Sequence, residues 1–218
     1  MRTKSLLGLA ALAVGLTSAS AQVYSLNVVG YVNVPLAANK MSFVSVPLAP
    51  SGGNYNITNT IALSDAQDGA TIFAWAGTGW SSTAPTWIGG FGWDTGMVIN
   101  SGVAFFLSSK ANSTLTFVGE VPQGTISYNI PTAVSTLANK VPVAAAFPGA
   151  SVGHDGDTMF LWDQAGQKWS STAWTYIGGY GWDAGGGSTN GPALNPADGV
   201  FYVNTGAAIP FTQNFTVQ

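Results

Sequence analysis

The chain has no cysteine, which excludes disulfides, thiolate metal sites and cysteine nucleophiles. Histidine occurs once, at His154, and a serine triad would have to be built on it. No Gly-x-Ser-x-Gly elbow leads into a helical pattern to supply the nucleophile. Glutamate also occurs once, and the Gly-Glu-Val-Pro setting of Glu120 reads as a turn. A glycosidase needs two facing carboxylates, and this pattern does not offer them. Phosphate-binding loops, dinucleotide fingerprints and zinc motifs are missing as well. The sequence therefore reads as non-enzymatic, with no catalytic residue, no cofactor and no metal.

Arginine is confined to Arg2, and charged residues of any kind are few. Arg2 and Lys4 precede the apolar run Leu6 to Leu16, and Ala19-Ser20-Ala21 follows as an A-x-A cleavage site. Residues 1–21 are thus expected to be a secretory signal peptide, with Gln22 as the mature N-terminus. The run is too short for a membrane anchor, and no later stretch reaches the length of a spanning helix. The expected location is outside the cytoplasm: extracellular, cell surface or periplasm. After cleavage, four lysines face nine carboxylates. An acidic, arginine-free surface is a poor match for a phosphate backbone, so nucleic acid is not an expected partner.

What the chain does contain is a long internal match. Trp80-Ser-Ser-Thr-Ala-Pro-Thr-Trp-Ile-Gly-Gly-Phe-Gly-Trp-Asp94 returns as Trp169-Ser-Ser-Thr-Ala-Trp-Thr-Tyr-Ile-Gly-Gly-Tyr-Gly-Trp-Asp183, identical at twelve of fifteen positions. Two of the three differences exchange one aromatic for another. The chain reads as a tandem duplication, with repeat 1 over 22–120 and repeat 2 over 121–218. Its function is then expected to be carried out twice, or through a paired surface.

Local patterning predicts short strands throughout. Val23 to Val34 alternates apolar and polar residues and ends at Pro35. Further strands are expected at Ser42–Val46, Ala70–Trp75, Val103–Leu107, Ser113–Val118, Asp157–Trp162, Gly199–Val203 and Phe211–Val217, with one short helix within Ile57–Ala66. In the second half Tyr128-Asn-Ile-Pro131 matches Val32-Asn-Val-Pro35, and Ala138-Asn-Lys140 matches Ala38-Asn-Lys40. Even spacing and Gly, Pro and Asn turns indicate an all-β fold of two tandem modules, sandwich or barrel-like, either as separate domains or as one composite domain.

Val23-Tyr-Ser-Leu-Asn-Val-Val-Gly-Tyr-Val-Asn-Val34 after a leader, together with Phe117-Val-Gly-Glu-Val-Pro-Gln-Gly124, resembles a family of exported bacterial two-repeat β proteins. The resemblance spans nearly the whole mature chain. It implies export, and a module with a strand ending in Pro, an aromatic segment and a Gly-x-x-Phe-Phe-type strand. Ser42–Pro47, Trp75, Phe105-Phe106 and Phe201-Tyr202 stand at those places. It carries over no catalytic residue.

The duplicated segment has two conformational readings. As one strand, Trp87, Gly89, Phe91 and Trp93 would share a face, as would Tyr176, Gly178, Tyr180 and Trp182, leaving slots for a stacked sugar ring. As a hairpin turning on Gly89-Gly90 in a two-residue type I′ turn, Ile88 and Phe91 would pair across the strands. Gly-Gly with apolar flanks favours the hairpin. The rings then serve a core, a glycan platform or self-association. Candidate ligand-binding residues are Trp80, Trp87, Phe91, Trp93, Trp169, Trp174, Tyr176, Tyr180 and Trp182.

Asp155-Gly156-Asp157 beside His154 raises a metal site, but a calcium loop needs six to eight oxygens, and the pattern reads better as an acidic turn. The leading functional expectation is assembly or adhesion outside the cell, through pairing of the Val23–Val34 strand with another copy. The alternative is a carbohydrate-binding module using the duplicated aromatic motif. A small outer-membrane barrel is disfavoured, because its strands need nine to eleven residues.

Overall fold

The computed structural model describes residues 28–187 and 189–217. The expected leader, Gln22 and the Val23–Asn27 part of the opening strand lie outside the described residues. The chain is all-β. Among the described residues, no helix is long and apolar enough to cross a membrane.

The first half comprises β1 (Val29–Leu36), β2 (Met41–Ser45), β3 (Thr71–Ala74), β4 (Trp87–Ile88), β5 (Gly92–Trp93), β6 (Ala104–Ser108) and β7 (Ser113–Glu120), with β4 and β5 as a separate hairpin and the rest in two layers. One layer is an antiparallel ribbon of β1 and β7. The other is the sheet β2-β6-β3. The ribbon turns Leu36, Leu115 and Phe117 onto Val44, Ile72, Phe105 and Leu107 of the sheet, with Val32 and Val34 packed beside them. This is the two-layer burial expected of strands with period-two patterning. Glu120 closes β7 rather than forming a turn. Its backbone exchanges hydrogen bonds with Ala49, at 2.9 and 2.8 Å. Gly119 is needed there, because a Cβ would strike the Ala49 carbonyl.

The expected helix shrinks to one turn, α1 (Ile57–Thr60), capped by the Asn56 side chain. Thr58, Asn59, Thr60 and Ser64 compete for backbone groups and favour caps and turns over helix interior.

The second half comprises β8 (Gly124–Ile130), β9 (Ala133–Ala138), β10 (Ala145–Ala146), β11 (Thr158–Asp163), β12 (Lys168–Trp169), β13 (Trp174–Ile177), β14 (Gly181–Asp183), β15 (Ala193–Leu194), β16 (Gly199–Asn204) and β17 (Ile209–Phe215). Again a ribbon, β8 with β17, covers a sheet, here β14-β13-β11-β16-β9. Its core holds Ile130, Met159, Trp182, Val200, Tyr202 and Phe211. The Ala-Asn-Lys match is not a structural one. Ala38-Asn39-Lys40 precedes β2, whereas Asn139 and Lys140 follow the end of β9. A three-residue likeness that precedes one strand and ends another fixes no position.

The halves meet along reciprocal contacts. Ser45 N–H donates to the Ala197 carbonyl at 2.9 Å, and Ala138 N–H donates to the Gly102 carbonyl at 3.0 Å. Strand register makes these the same bond drawn from opposite sides. Gly199 admits this approach, since a Cβ there would collide with Ala104. Ala197 packs into the core of the first half, so the two cores are not closed off from each other.

Candidate functional site

Between the halves lies an aromatic cluster in which matching rings make matching contacts. Trp75 meets Trp80 edge-on at 5.3 Å and Phe201 at 5.3 Å. Trp162 meets Trp169 at 5.2 Å and Phe106 at 4.7 Å in the same manner. Edge-to-face geometry at such separations is the favourable arrangement of ring quadrupoles. Phe43 joins from β2, 4.8 Å from Phe106 and 5.2 Å from Trp169.

The structure divides the nine candidate residues among three environments. Trp80 and Trp169, the leading tryptophans of the two motif copies, converge on one cleft. It has a volume of about 330 Å³ and is completed by Met41, Phe73, Phe106 and Trp162. Trp80 stands at its rim, 38% exposed. Trp93 and Trp182 are anchors. Their indole N–H groups donate to the Ile61 carbonyl at 2.7 Å and the Val152 carbonyl at 3.0 Å. Trp182 is fully buried and offers no ring face to solvent. Trp87 packs edge-on against Trp93 at 5.5 Å, as Tyr176 does against Trp182 at 5.3 Å. Trp174 packs on the core of the second half, where the first copy has the buried Pro85. Phe91 and Tyr180 sit at hairpin tips, 90% and 47% exposed.

The duplicated segment is therefore a hairpin in both copies, not one strand with a continuous aromatic face. Its turn differs from the expected type I′. Ile88 pairs with Gly92, and Phe91 N–H bonds the Ile88 carbonyl at 3.0 Å. Gly90 has φ +75° while Gly89 is not in the left-handed region, which is the type II pattern. The turn is held from outside by carboxylates. Asp68 accepts from Gly89 N–H at 2.9 Å and Asp65 from Gly90 N–H at 2.8 Å. In the second copy Asp155 accepts from Gly178 N–H at 2.8 Å.

This accounts for half of the acidic turn beside His154. The other half, Asp157, is fully buried under β16. It accepts from His154 N–H at 2.8 Å, Tyr202 O–H at 2.7 Å, Thr205 N–H at 2.7 Å and Thr205 O–H at 2.8 Å. Burial pushes its carboxyl up, but these four donors outweigh burial and hold it below the ordinary carboxylate range. Burial first, then the bond and charge of Asp157, drive the Tyr202 phenol far above its usual value. His154 itself contacts the Asn204 amide oxygen at 3.0 Å. These groups pin β11 to the end of β16 and are occupied in doing so.

Sequence reasoning missed a second cleft, of about 420 Å³, on the opposite side of the Trp75 contact. Its walls include Trp75, Tyr128, Ser135 and Lys140. The Lys140 ammonium lies 4.5 Å above the Tyr128 ring. Burial lowers the Lys140 pKa and raises that of Tyr128 well above its normal value. The available signal was the unequal spacing of matched tryptophans: four residues separate Trp75 from Trp80, and six separate Trp162 from Trp169.

No family model, no curated protein and no solved structure matches the chain. The functional reading rests on the residues and their geometry.

Proposed function

We propose that this is a non-enzymatic exported protein acting in cell-surface or extracellular assembly and adhesion, with a second copy of itself as the partner. The observation that supports this reading is the outer face of the β1–β7 ribbon. Val29, Tyr31 and Val118 project from it, 65%, 74% and 65% exposed. The matching positions on the β8–β17 ribbon are Thr125, Ser127 and Thr212, with Ser127 and Thr212 in hydroxyl contact at 3.2 Å. One ribbon is thus apolar where its counterpart is polar, although the strand patterning is otherwise the same. Among the described residues β1 pairs with β7 alone. An edge strand with exposed apolar side chains is a template for strand addition.

The test is the light-scattering mass of the secreted chain over a hundredfold concentration range, without detergent, beside a Tyr31→Lys, Val118→Lys variant. Mass that rises with concentration for the parent and stays monomeric for the variant is the expected result. A parent that is monomeric throughout overturns the proposal. Outward substitutions are preferable to deleting the strand, since Val32 and Val34 belong to the core.

The carbohydrate-binding alternative draws support from the cleft where Trp80 and Trp169 meet. Tryptophan fluorescence that responds to neutral oligosaccharides, and loses the response in Trp80→Ala, would favour it.

A further inference from the structure

The two sides of the inter-half contact are built alike but filled differently. On one side the six-residue connection after Trp162 folds back over β2. Gln164 donates its amide to the Ser42 hydroxyl at 3.0 Å. The Gln167 amide both donates to the Met41 carbonyl at 3.0 Å and accepts from the Met41 N–H at 2.7 Å. On the other side the connection after Trp75 is Ala76-Gly77-Thr78-Gly79, two residues shorter and without an amide side chain. Ser135 occupies on β9 the register position of Ser42 on β2. Its hydroxyl is buried and has no hydrogen-bond partner. The open cleft of about 420 Å³ lies at this position. Pockets for small ligands run from roughly 300 to 1,000 Å³.

The other walls narrow the chemistry. Trp75 is locked by its N–H bond to the Val134 carbonyl at 3.0 Å, and Tyr128 by its O–H bond to the Ala138 carbonyl at 2.9 Å. Both residues line the cleft, the Tyr128 ring beneath the Lys140 ammonium. Lys140 brings an ammonium to the same wall, and no carboxylate among the described residues forms an ion pair with it. A ligand that fits has a flat apolar face, hydroxyl groups for Asn100, Asn129 and Thr132 on the cleft wall, and a carboxylate for Lys140.

We propose that the cleft beside Trp75 and Lys140 binds an acidic saccharide of one or two rings, a uronic-acid-type pyranose. The ligand occupies on this side the space that Gln164 and Gln167 fill on the other. The site shares no residue with the β1–β7 ribbon face, so its success or failure is read apart from self-association.

The experiment is isothermal titration of the full secreted chain with digalacturonate and with cellobiose, the second serving as the uncharged control. Digalacturonate should bind and cellobiose should bind at least about tenfold more weakly, as expected for loss of a charge-assisted bond. Lys140→Met, which keeps the buried stem, should weaken digalacturonate by about tenfold and leave the melting temperature nearly unchanged. A second variant carries the six-residue connection 163–168 in place of 76–79, with both rings and Lys140 left in place. It should abolish binding by filling the cleft. Absence of digalacturonate binding at millimolar concentration overturns the proposal, as does binding that Lys140→Met leaves intact or that persists when the cleft is filled.

Discussion

Trp75 and Trp162 cross the same boundary in opposite directions. The Trp75 indole N–H bonds the Val134 carbonyl at 3.0 Å, and the Trp162 indole N–H bonds the Met41 carbonyl at 3.1 Å. Strand register places Val134 and Met41 at matching points of β9 and β2. Each half thus inserts the same ring into the same place on the other, and the bonds set the spacing of the aromatic cluster between them.

Removing one of these rings should be costly. Trp162→Ala deletes a ring that touches Phe106 and Trp169 and leaves Gln167 as the side-chain donor to the Met41 carbonyl, so a loss of about 3–5 kcal/mol is expected, mainly from packing. Trp162→Phe retains most of the packing and should lose about 1–2 kcal/mol. Urea unfolding followed by far-ultraviolet circular dichroism measures both. Equal losses for the two variants would mean that the indole N–H, not the packing, carries the contact.

Asp157 should set the acid limit of stability. Its folded-state pKa is below the unfolded value of about 3.9. Its contribution is therefore complete above that value and is lost as pH falls through the folded pKa. Tyr202 has the opposite sign. Its folded pKa is raised, so its contribution is complete below the unfolded value of about 10 and is lost as pH rises toward the folded one. Asp157→Ala should lose about 3 kcal/mol or more at neutral pH, because several buried donors are left without an acceptor. The variant should also show less loss of stability between pH 4 and 2 than the parent. A parallel acid profile would remove Asp157 from that role.

The hairpin glycines should be unequal. Gly90, at φ +75°, has open space around its missing Cβ, so Gly90→Ala should cost about 1 kcal/mol through backbone strain alone. At Gly89 the φ is ordinary, but a Cβ would lie 3.3 Å from the Asp65 carbonyl oxygen. Exposed Phe91 carries little of the hairpin, and Phe91→Ser should shift stability by less than about 0.5 kcal/mol. Thermal melts of Gly90→Ala and Phe91→Ser give the order.

Much of the architecture was legible in the chain. Short apolar runs punctuated by Pro or Gly located β2, β3, β6, β11 and β16 to within a residue or two; β2 and β6 are buried on both faces, which such unalternating runs favour. The hairpin was legible from Gly-Gly, but its turn type was not. The type depends on Asp65 and Asp68, which reach the Gly89 and Gly90 N–H groups from more than twenty residues away. The aromatic motif could be read as important but not as divided among core anchors, a shared cleft and bare hairpin tips, since that division follows from how the halves dock. Asp157 was readable only as part of an acidic turn, because its donors Tyr202 and Thr205 lie on another strand end. The second cleft was hidden for a similar reason: a two-residue difference in loop length has no meaning until strand register places Ser135 opposite Ser42.

The unlike faces of the two ribbons would also limit the size of the proposed assembly. A chain with an apolar ribbon face at both ends would join head to tail and lengthen without a stopping point. Here Thr125, Ser127 and Thr212 make the β8–β17 face polar, so under the proposed self-association each chain offers the β1–β7 ribbon face and not its counterpart. Two such faces meeting about a two-fold axis would form a closed pair, at which growth stops.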